Sequence, residues 1–573
     1  MYLGNKRWVA AGTVLAVVAG FAAVVRWQLP AFEPTLLEST VLFQLVLGAT
    51  IVALLRNEVG ISTFGVFGPV IIAFAWVTVG PVWGLIIVGY VFMVALAARL
   101  AVGTLDLGTS HRVALLLVLV GVSFAVVRSF ATLQGLPQFG TALLFPVILT
   151  TWYGERFGNE LSEFGWASAS NRLLWTGLTV GIVYLVASFD ALVRFVATTP
   201  ESWVLLVGLH LVLGSWNPVR LSEYTRFRTL RQSLSAGGGT DVLTMRVRNR
   251  EFVSRYNPRS LLAAFPKHEM KSTLHGLDIP TPETYCTVSS PGEIGAFEAV
   301  LDERDAFVVK PADGHGGEGV LVVTGRDDDG AYVTSRGALT REDLLRWVTD
   351  VSNGRYSRGY DTTATVLVEA VVVPDTVLGT LAGSGVPDLR VVVLEGVPVM
   401  AMVRLPTEAS RGTANLHQGA VGVAVDLATG RTSQGYQQTQ DRWLDRHPDT
   451  GATLAAVEIP DWEAVLTLAS ESAIGSGLGY AGVDIVFDAE RGPVVLEVNR
   501  RPGLGIQNVN MAGLLARLRF VEARLGRLAM VPAAARVAQA MTWARTEWTH
   551  HSGAVPTDPG AGDRVPEVRP DAE

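Results

Sequence analysis

Phe307-Val-Val-Lys-Pro-Ala-Asp-Gly-His-Gly-Gly-Glu-Gly319 carries an apolar run to a lysine and then enters a loop with four glycines in six positions. The β-branched run predicts a strand ending at Lys310. Glycines lack a Cβ, so backbone N–H groups there can approach phosphate oxygens. The stretch has no Gly-Lys-Ser/Thr, which sets the P-loop class aside. Lysine usage sharpens the reading. The chain has four lysines against 42 arginines, and three of the four are Lys267, Lys271 and Lys310. An ammonium is a compact charge that reaches between phosphate oxygens, whereas a guanidinium is a wide planar fork. His315, inside the loop, reads as exposed.

A second constellation lies in Gly482-Val-Asp-Ile-Val486 and Val495-Leu-Glu-Val-Asn499. Alternation places Glu497 and Asn499 on one face of a strand, with Asp484 on a neighbouring strand. Three oxygen donors flanked by Val and Leu suit Mg²⁺, which takes hard ligands and keeps phosphate and water in its shell. A third cluster comprises Asp388-Leu-Arg390, Arg404, Asn415-Leu-His-Gln-Gly419 and Arg501. Cationic and amide groups at strand ends suit an acyl phosphate or a substrate carboxylate. His417 fits either a structural or a functional part.

Around these motifs, strand-like runs at 306–310, 320–324, 366–373, 389–394, 399–403, 483–487 and 494–498 alternate with helix-like periods at 267–276, 340–349, 461–474 and 511–525. The pattern predicts an α+β domain. Cys286 is the one cysteine, so neither an intrachain disulfide nor a cysteine zinc cluster is available. A net charge of −7 gives no reason to expect nucleic acid.

Upstream the composition changes. Residues 1–217 hold 19 Asp, Glu, Lys and Arg, and the remainder holds 80. Eight apolar stretches, at 8–27, 36–55, 63–79, 82–100, 111–128, 138–153, 172–190 and 202–217, predict a polytopic α-helical membrane bundle. The stretches at 63–79 and 138–153 are short for a span. No cleavage pattern follows the first, which therefore reads as an anchor. An inside N-terminus puts 11 Lys and Arg residues of short loops on the inner side against three (Arg26, Arg128 and Arg194) outside. That predicts an inner-membrane protein whose N-terminus and soluble domain are both cytoplasmic. Few charges fall within the spans, which argues against an ion-coupled transporter. Ile61-Ser-Thr-Phe-Gly-Val-Phe-Gly-Pro69 reads as a close-packing motif, with a substrate groove as the sharper alternative. An arginine-rich junction with Gly237-Gly-Gly239 follows the last span, and the final 24 residues have a disordered composition.

Two resemblances follow from these residues. Arg56-Asn-Glu-Val-Gly-Ile-Ser-Thr-Phe-Gly-Val-Phe-Gly-Pro69 and Glu155-Arg-Phe157 resemble the seven-transmembrane module attached elsewhere to an inactive transglutaminase-like domain. That likeness implies one anchor helix plus seven, and a transglutaminase-like membrane partner. From about 257 to 527 the chain resembles alpha-L-glutamate ligase-like ATP-grasp proteins. The likeness rests on Lys267 with Pro280, Phe-Val-Val-Lys-Pro and its glycines, Val368-Glu-Ala370, Asp-Leu-Arg390, Asn-Leu-His-Gln-Gly419, Gly-Val-Asp484 and Leu-Glu-Val-Asn-Arg-Arg-Pro-Gly503. The resemblance implies ATP phosphates on Lys267 and Lys310, covered by Gly316, Gly317 and Gly319. It puts adenine at Glu369 and Val371 and ribose at Asp375. It implies one or two Mg²⁺ ions, with Mn²⁺ as a substitute, on Asp484, Glu497 and Asn499. Arg390, Arg404 and Asn415 would steady the transferred phosphate or acyl group. Pro266 stands where many relatives have aspartate, and the stretch before Asn257 leaves no room for a preceding Rossmann-like lobe.

The expected organisation is an anchor (1–34), a seven-helix domain (35–217), a basic linker (218–256), an ATP-grasp domain (257–530) and a helical extension with tail (531–573). The expected function is a membrane-bound ligase joining a carboxylate of a small molecule or peptide to an amine through an acyl phosphate. The alternative is a nucleotide-gated exporter or sensor with a non-catalytic ATP-grasp domain.

Overall fold

The computed structural model describes residues 2–102, 109–135, 144–216, 220–234, 241–263, 267–312, 319–353, 365–383, 385–528 and 530–548. The C-terminal tail, residues 136–143 and the triple glycine of the junction lie outside the described residues. Two compact units result: Met1–Arg226 with Glu283–Val371, and Phe227–Pro282 with Val372–Glu573. The 257–530 stretch contributes to both.

The first unit opens with apolar helices. Ala10–Trp27, Thr40–Val59, Pro81–Val102 and Val113–Leu133 are each long and apolar enough to cross a membrane. Gly165–Ala187 and Asp190–Thr198 meet at a 64° bend, and Gly68–Val79 and Glu201–Gly214 are shorter apolar helices. The helix Leu144–Ala187 is broken at Gly165, whose φ of 77° and ψ of 176° no helix accommodates. The expected 63–79 span is helical only from Gly68, because Gly60 and Gly65 sit at positive φ and hold the chain in a loop. Large apolar side chains such as Phe21, Leu85, Leu185 and Leu205 face outward, while Val52, Ala73, Ala95, Leu116 and Ala169 are fully buried. A surface this apolar fits lipid, with small residues allowing close helix packing inside. Among the described residues, Arg99 and Glu155 pair at 3.3 Å among the helices, and buried Glu160 pairs at 2.6 Å with Arg172, whose side chain is 39% exposed.

The same unit contains an antiparallel six-stranded sheet. Its strands are β1 (Thr284–Val288), β2 (Phe307–Pro311), β3 (Leu321–Arg326), β4 (Tyr332–Thr334), β5 (Gly337–Leu339) and β6 (Val366–Glu369), in the order β1-β6-β2-β3-β4-β5. Phe297, Phe307 and Tyr332 stack edge-on in its core. Helix Arg341–Ser352 packs there too. It starts in a capping box in which Thr340 and Asp343 each satisfy the other's backbone N–H.

The second unit is built on an antiparallel seven-stranded sheet. It comprises β7 (Asp388–Leu394), β8 (Val397–Leu405), β9 (Val421–Val425), β10 (Thr432–Gln437), β11 (Arg442–Leu444), β12 (Tyr480–Asp488) and β13 (Gly492–Asn499), in the order β11-β10-β9-β8-β7-β12-β13. Every residue of β7 and β12 is buried. Their valine-rich sequences suit strands covered on both faces. Helices Trp462–Gly475 and Leu514–Glu522 complete the core.

Candidate active site

In the first unit, β2 alternates Phe307, Val309 and Pro311 into the core and turns Val308 and Lys310 to the other face. Strand β6 is antiparallel to it, and Val308 faces Glu369 while Lys310 faces Leu367. This diagonal places Lys310 Nζ 2.6 Å from Glu369 Oε2. The Glu369 side chain is 3% exposed, so its charge requires a partner, and Lys310 supplies it. The expectation of an adenine contact at Glu369 therefore meets a residue that first holds the lysine. Val371 follows, half-buried. Gly319 closes the loop at φ 73°, while Gly316 and Gly317 lie outside the described residues.

In the second unit, the register of four strands builds a polar row. Asp484 on β12 lies opposite Arg390 on β7 and opposite Glu497 on β13. Arg404 on β8 lies opposite Asp388 on β7. Arg390 grips Asp484 through Nε and, at 2.6 Å, through Nη2. Arg404 grips Asp388 in the same two-pronged way and adds a contact to Asp484 at 3.0 Å. Asn499 Nδ2 donates to Asp484 Oδ2 at 3.0 Å. Gly482 makes room for this arrangement. A Cβ there would sit 2.6 Å from Pro502 and 3.2 Å from Arg390 Cδ, blocking the arginine's path along the strand. The β12–β13 register shifts just after Asp484, a bulge of the kind that re-aims side chains at sites.

Asp388, Arg390 and Asp484 are all buried. Two carboxylates and two guanidiniums balance, which is what makes burial tolerable. Burial raises the energy of an ionised Asp484, but Arg390 and then Arg404 outweigh that and hold its carboxyl below the usual range. Burial pushes Asp388 up to about 6, with Arg404 opposing and Asp484 adding to the rise.

The remaining expected residues are placed less centrally. Lys267 opens helix Lys267–His275, with Lys271 one turn further on and buried. Asp375 caps helix Thr376–Ala382 by accepting from the N–H groups of Val377 at 2.6 Å and Leu378 at 3.3 Å. Asn415 accepts from the His417 N–H and so shapes a tight turn. His417 Nδ1 lies 3.0 Å from Gln438 Nε2, a partner the sequence did not suggest. The Lys310–Glu369 pairing was also missed. The signal was one carboxylate in the otherwise apolar Val366-Leu-Val-Glu369.

Glu497 and Asn499 offer oxygens of the kind a hard divalent cation takes, whereas both oxygens of Asp484 already accept from Arg390, Arg404 and Asn499. Asp484 and Glu497 face each other across adjacent strands, and Asn499 shares their face with its amide oxygen unused by the bond to Asp484. Among the described residues, no group of three or more His, Cys, Asp or Glu side chains is gathered for a metal. Two carboxylates and an amide are the sparse protein set that Mg²⁺ uses when phosphates complete its shell.

Comparison with known proteins agrees with both halves. Residues 21–231 match the family described as seven transmembrane helices usually fused to an inactive transglutaminase. Residues 247–523 match the family described as sugar-transfer associated ATP-grasp. The chain therefore joins a seven-transmembrane-type module to an ATP-grasp domain, and it is a multi-pass membrane protein. Among ATP-grasp proteins, the matching group is the sugar-transfer associated one. No curated protein matches. The solved structures it resembles include the ATP-grasp ligase PsnB with its minimal precursor (17% identity, TM-score 0.25, covering 48% of this chain and 64% of that one). D-cycloserine synthetase DcsG is similar (17%, TM-score 0.27, 54% and 82%). So is D-alanine–D-alanine ligase from Bacillus anthracis with ATP (14%, TM-score 0.25, 49% and 66%). The chain spans less than two thirds of the length of PsnB.

Proposed function

We propose that this protein is a membrane-bound ligase that spends ATP to join a carboxylate to an amine, with its ATP-grasp domain on the cytoplasmic side. The observation that carries the reading is the charge-balanced row of Asp388, Arg390, Arg404 and Asp484 beside Glu497 and Asn499. A carboxylate is a poor electrophile. Attack of its oxygen on the γ-phosphorus gives an acyl phosphate and ADP. An amine then attacks the acyl carbon, phosphate leaves, and the amine gives up a proton.

The chain's residues position these groups and offset their charge. Lys310 places an ammonium on phosphate oxygens, and Glu369 fixes its direction. Lys267 is a second phosphate ligand, with Gly316, Gly317 and Gly319 covering the phosphates and Val371 beside adenine. Asp388 and Asp484 orient the two guanidiniums. Among the described residues, neither Nη1 has a protein acceptor in this row, so both remain for an anionic group. Glu497, Asn499 and Asp484 would hold Mg²⁺, which when bound neutralises phosphate charge.

The test is release of ADP and phosphate by the full chain with Mg-ATP across a screen of acids and amines. The sugar-transfer description of the matched family supports including amino sugars in that screen. Glu497→Gln is expected to abolish product formation. If no acid stimulates ADP release while nucleotide still alters transport or conformation, the exporter or sensor reading replaces this one.

A further inference from the structure

The loop Gly60-Ile-Ser-Thr-Phe-Gly-Val-Phe67 has no part in the ligase chemistry. Gly60 and Gly65 both sit at φ 92°, which other residues rarely adopt. A Cβ on Gly60 would also fall 2.0 Å from Ser222 Oγ and 3.6 Å from Arg220 Cδ. The turn before it, Leu55–Val59, is π-helical, a distortion frequent at functional sites. From that turn Arg56 reaches across the loop, and its Nη1 donates to Thr63 Oγ1 at 2.8 Å and to Gly65 O at 2.7 Å. Arg172, 5.7 Å from the Phe64 ring centre, and Arg220 both act electrostatically on Arg56. Glu160 neutralises Arg172. Glu223 accepts from the Arg220 backbone N–H at 3.1 Å. Among the described residues, the Arg56 side chain donates only to neutral oxygens. Arg56 is thus a half-buried cation whose side chain meets neutral oxygens, and such a charge favours an anion beside it.

A second, separate observation points to the same place. Tyr153 is 3% exposed. Its hydroxyl has no hydrogen-bond partner among the described residues. The hydroxyl is aimed at the loop: a Cβ on Gly68 would lie 1.8 Å from Oη, and one on Gly65 would lie 4.0 Å away. Arg56 is its charged neighbour. A buried O–H without an acceptor is unfavourable, and a ligand oxygen would satisfy it. On the same loop, Val66 and Phe67 are 44% and 70% exposed. Guanidinium and phenol donors thus stand next to an apolar flank on a membrane-embedded module.

We propose that this loop binds the phosphate headgroup of an anionic lipid. Arg56, Arg220 and Tyr153 donate to phosphate oxygens, and the acyl part lies on Val66 and Phe67. Guanidinium forks match phosphate geometry, and the exposed apolar pair favours a lipid over a soluble anion.

The full chain, purified in a neutral detergent, is titrated with phosphatidic acid, diacylglycerol or inorganic phosphate. Bound ligand is counted by native mass spectrometry. Arg56→Gln would remove an anchor of the loop itself, so Arg220→Gln and Tyr153→Phe carry the test. Wild type is expected to retain phosphatidic acid over diacylglycerol. Arg220→Gln should weaken that retention roughly tenfold and Tyr153→Phe about fivefold, with the thermal midpoint of lipid-free Tyr153→Phe equal to or above that of wild type. Equal retention of the two lipids, or wild-type affinity in both variants, overturns the site. Inorganic phosphate binding as tightly as phosphatidic acid overturns the lipid assignment.

Discussion

Replacing Asp484 by asparagine removes one negative charge from a buried group of two carboxylates and two guanidiniums, leaving Arg390 without its partner. The Asp484 side chain is 8% exposed and that of Arg390 9%, so water cannot take over the lost interaction. Removing one member of a buried pair destabilises by about 3–5 kcal/mol, because a charge is left uncompensated. At about 1.4 kcal/mol per factor of ten, amides of β7 and β12 should then exchange roughly two to four orders of magnitude faster. Hydrogen exchange followed by mass spectrometry on the full chain in detergent reads these segments directly. A second variant separates charge from shape. Asp484→Asn with Arg390→Met leaves the neutral Asp388–Arg404 pair, and it should recover most of the protection. Exchange in Asp484→Asn within about threefold of wild type would refute the reasoning, since a few tenths of a kcal/mol is far below the cost of an unpaired buried charge. A double variant as unprotected as the single one would refute it equally.

Thr340→Ala removes the capping box of helix Arg341–Ser352 and should cost about 1 kcal/mol, seen as roughly fivefold faster exchange across that helix. Asp388 gives a pH dependence whose sign is fixed. Its folded carboxyl, pushed up to about 6, binds a proton that the unfolded chain, titrating near 4, has already lost. Stability of the seven-stranded sheet should therefore fall as pH rises from about 4 to about 6 and stay level above that. Asp484, held low, contributes stability that is lost only as pH falls below about 4. Protection corrected for intrinsic exchange at pH 5 and pH 7 checks the slope, and Asp388→Asn should remove it.

The legible parts of this fold were those with strong local patterns. The valine runs around Lys310, Arg390, Asp484 and Glu497 all became strands, and the described parts of the apolar stretches are largely helical, with the loop before Gly68 as the exception. Strands β1, β4, β5, β9, β10 and β11 were not foreseen. Thr432-Ser-Gln-Gly-Tyr-Gln437 has no apolar alternation, and it is a strand because of what pairs on either side of it. The short helix Asp190–Thr198 was hidden by the apolar span before it. At the site, residue types were readable and partners were not. Nothing local says that Lys310 meets Glu369 across a strand pair, or that Arg404 serves both Asp388 and Asp484. Such pairings depend on register between distant segments, which a local pattern does not encode.

The proposed chemistry requires nucleotide recognition by the portion beyond the membrane helices. Equilibrium binding of ATP to the full chain, with Mg²⁺ and with a chelator, measures it, using Lys310→Met as the comparison. Saturable binding that needs Mg²⁺ and weakens at least about tenfold in the variant is predicted, as expected for loss of a charged contact to phosphate. ATP binding that is undetectable, or indifferent to both Mg²⁺ and Lys310, would contradict it.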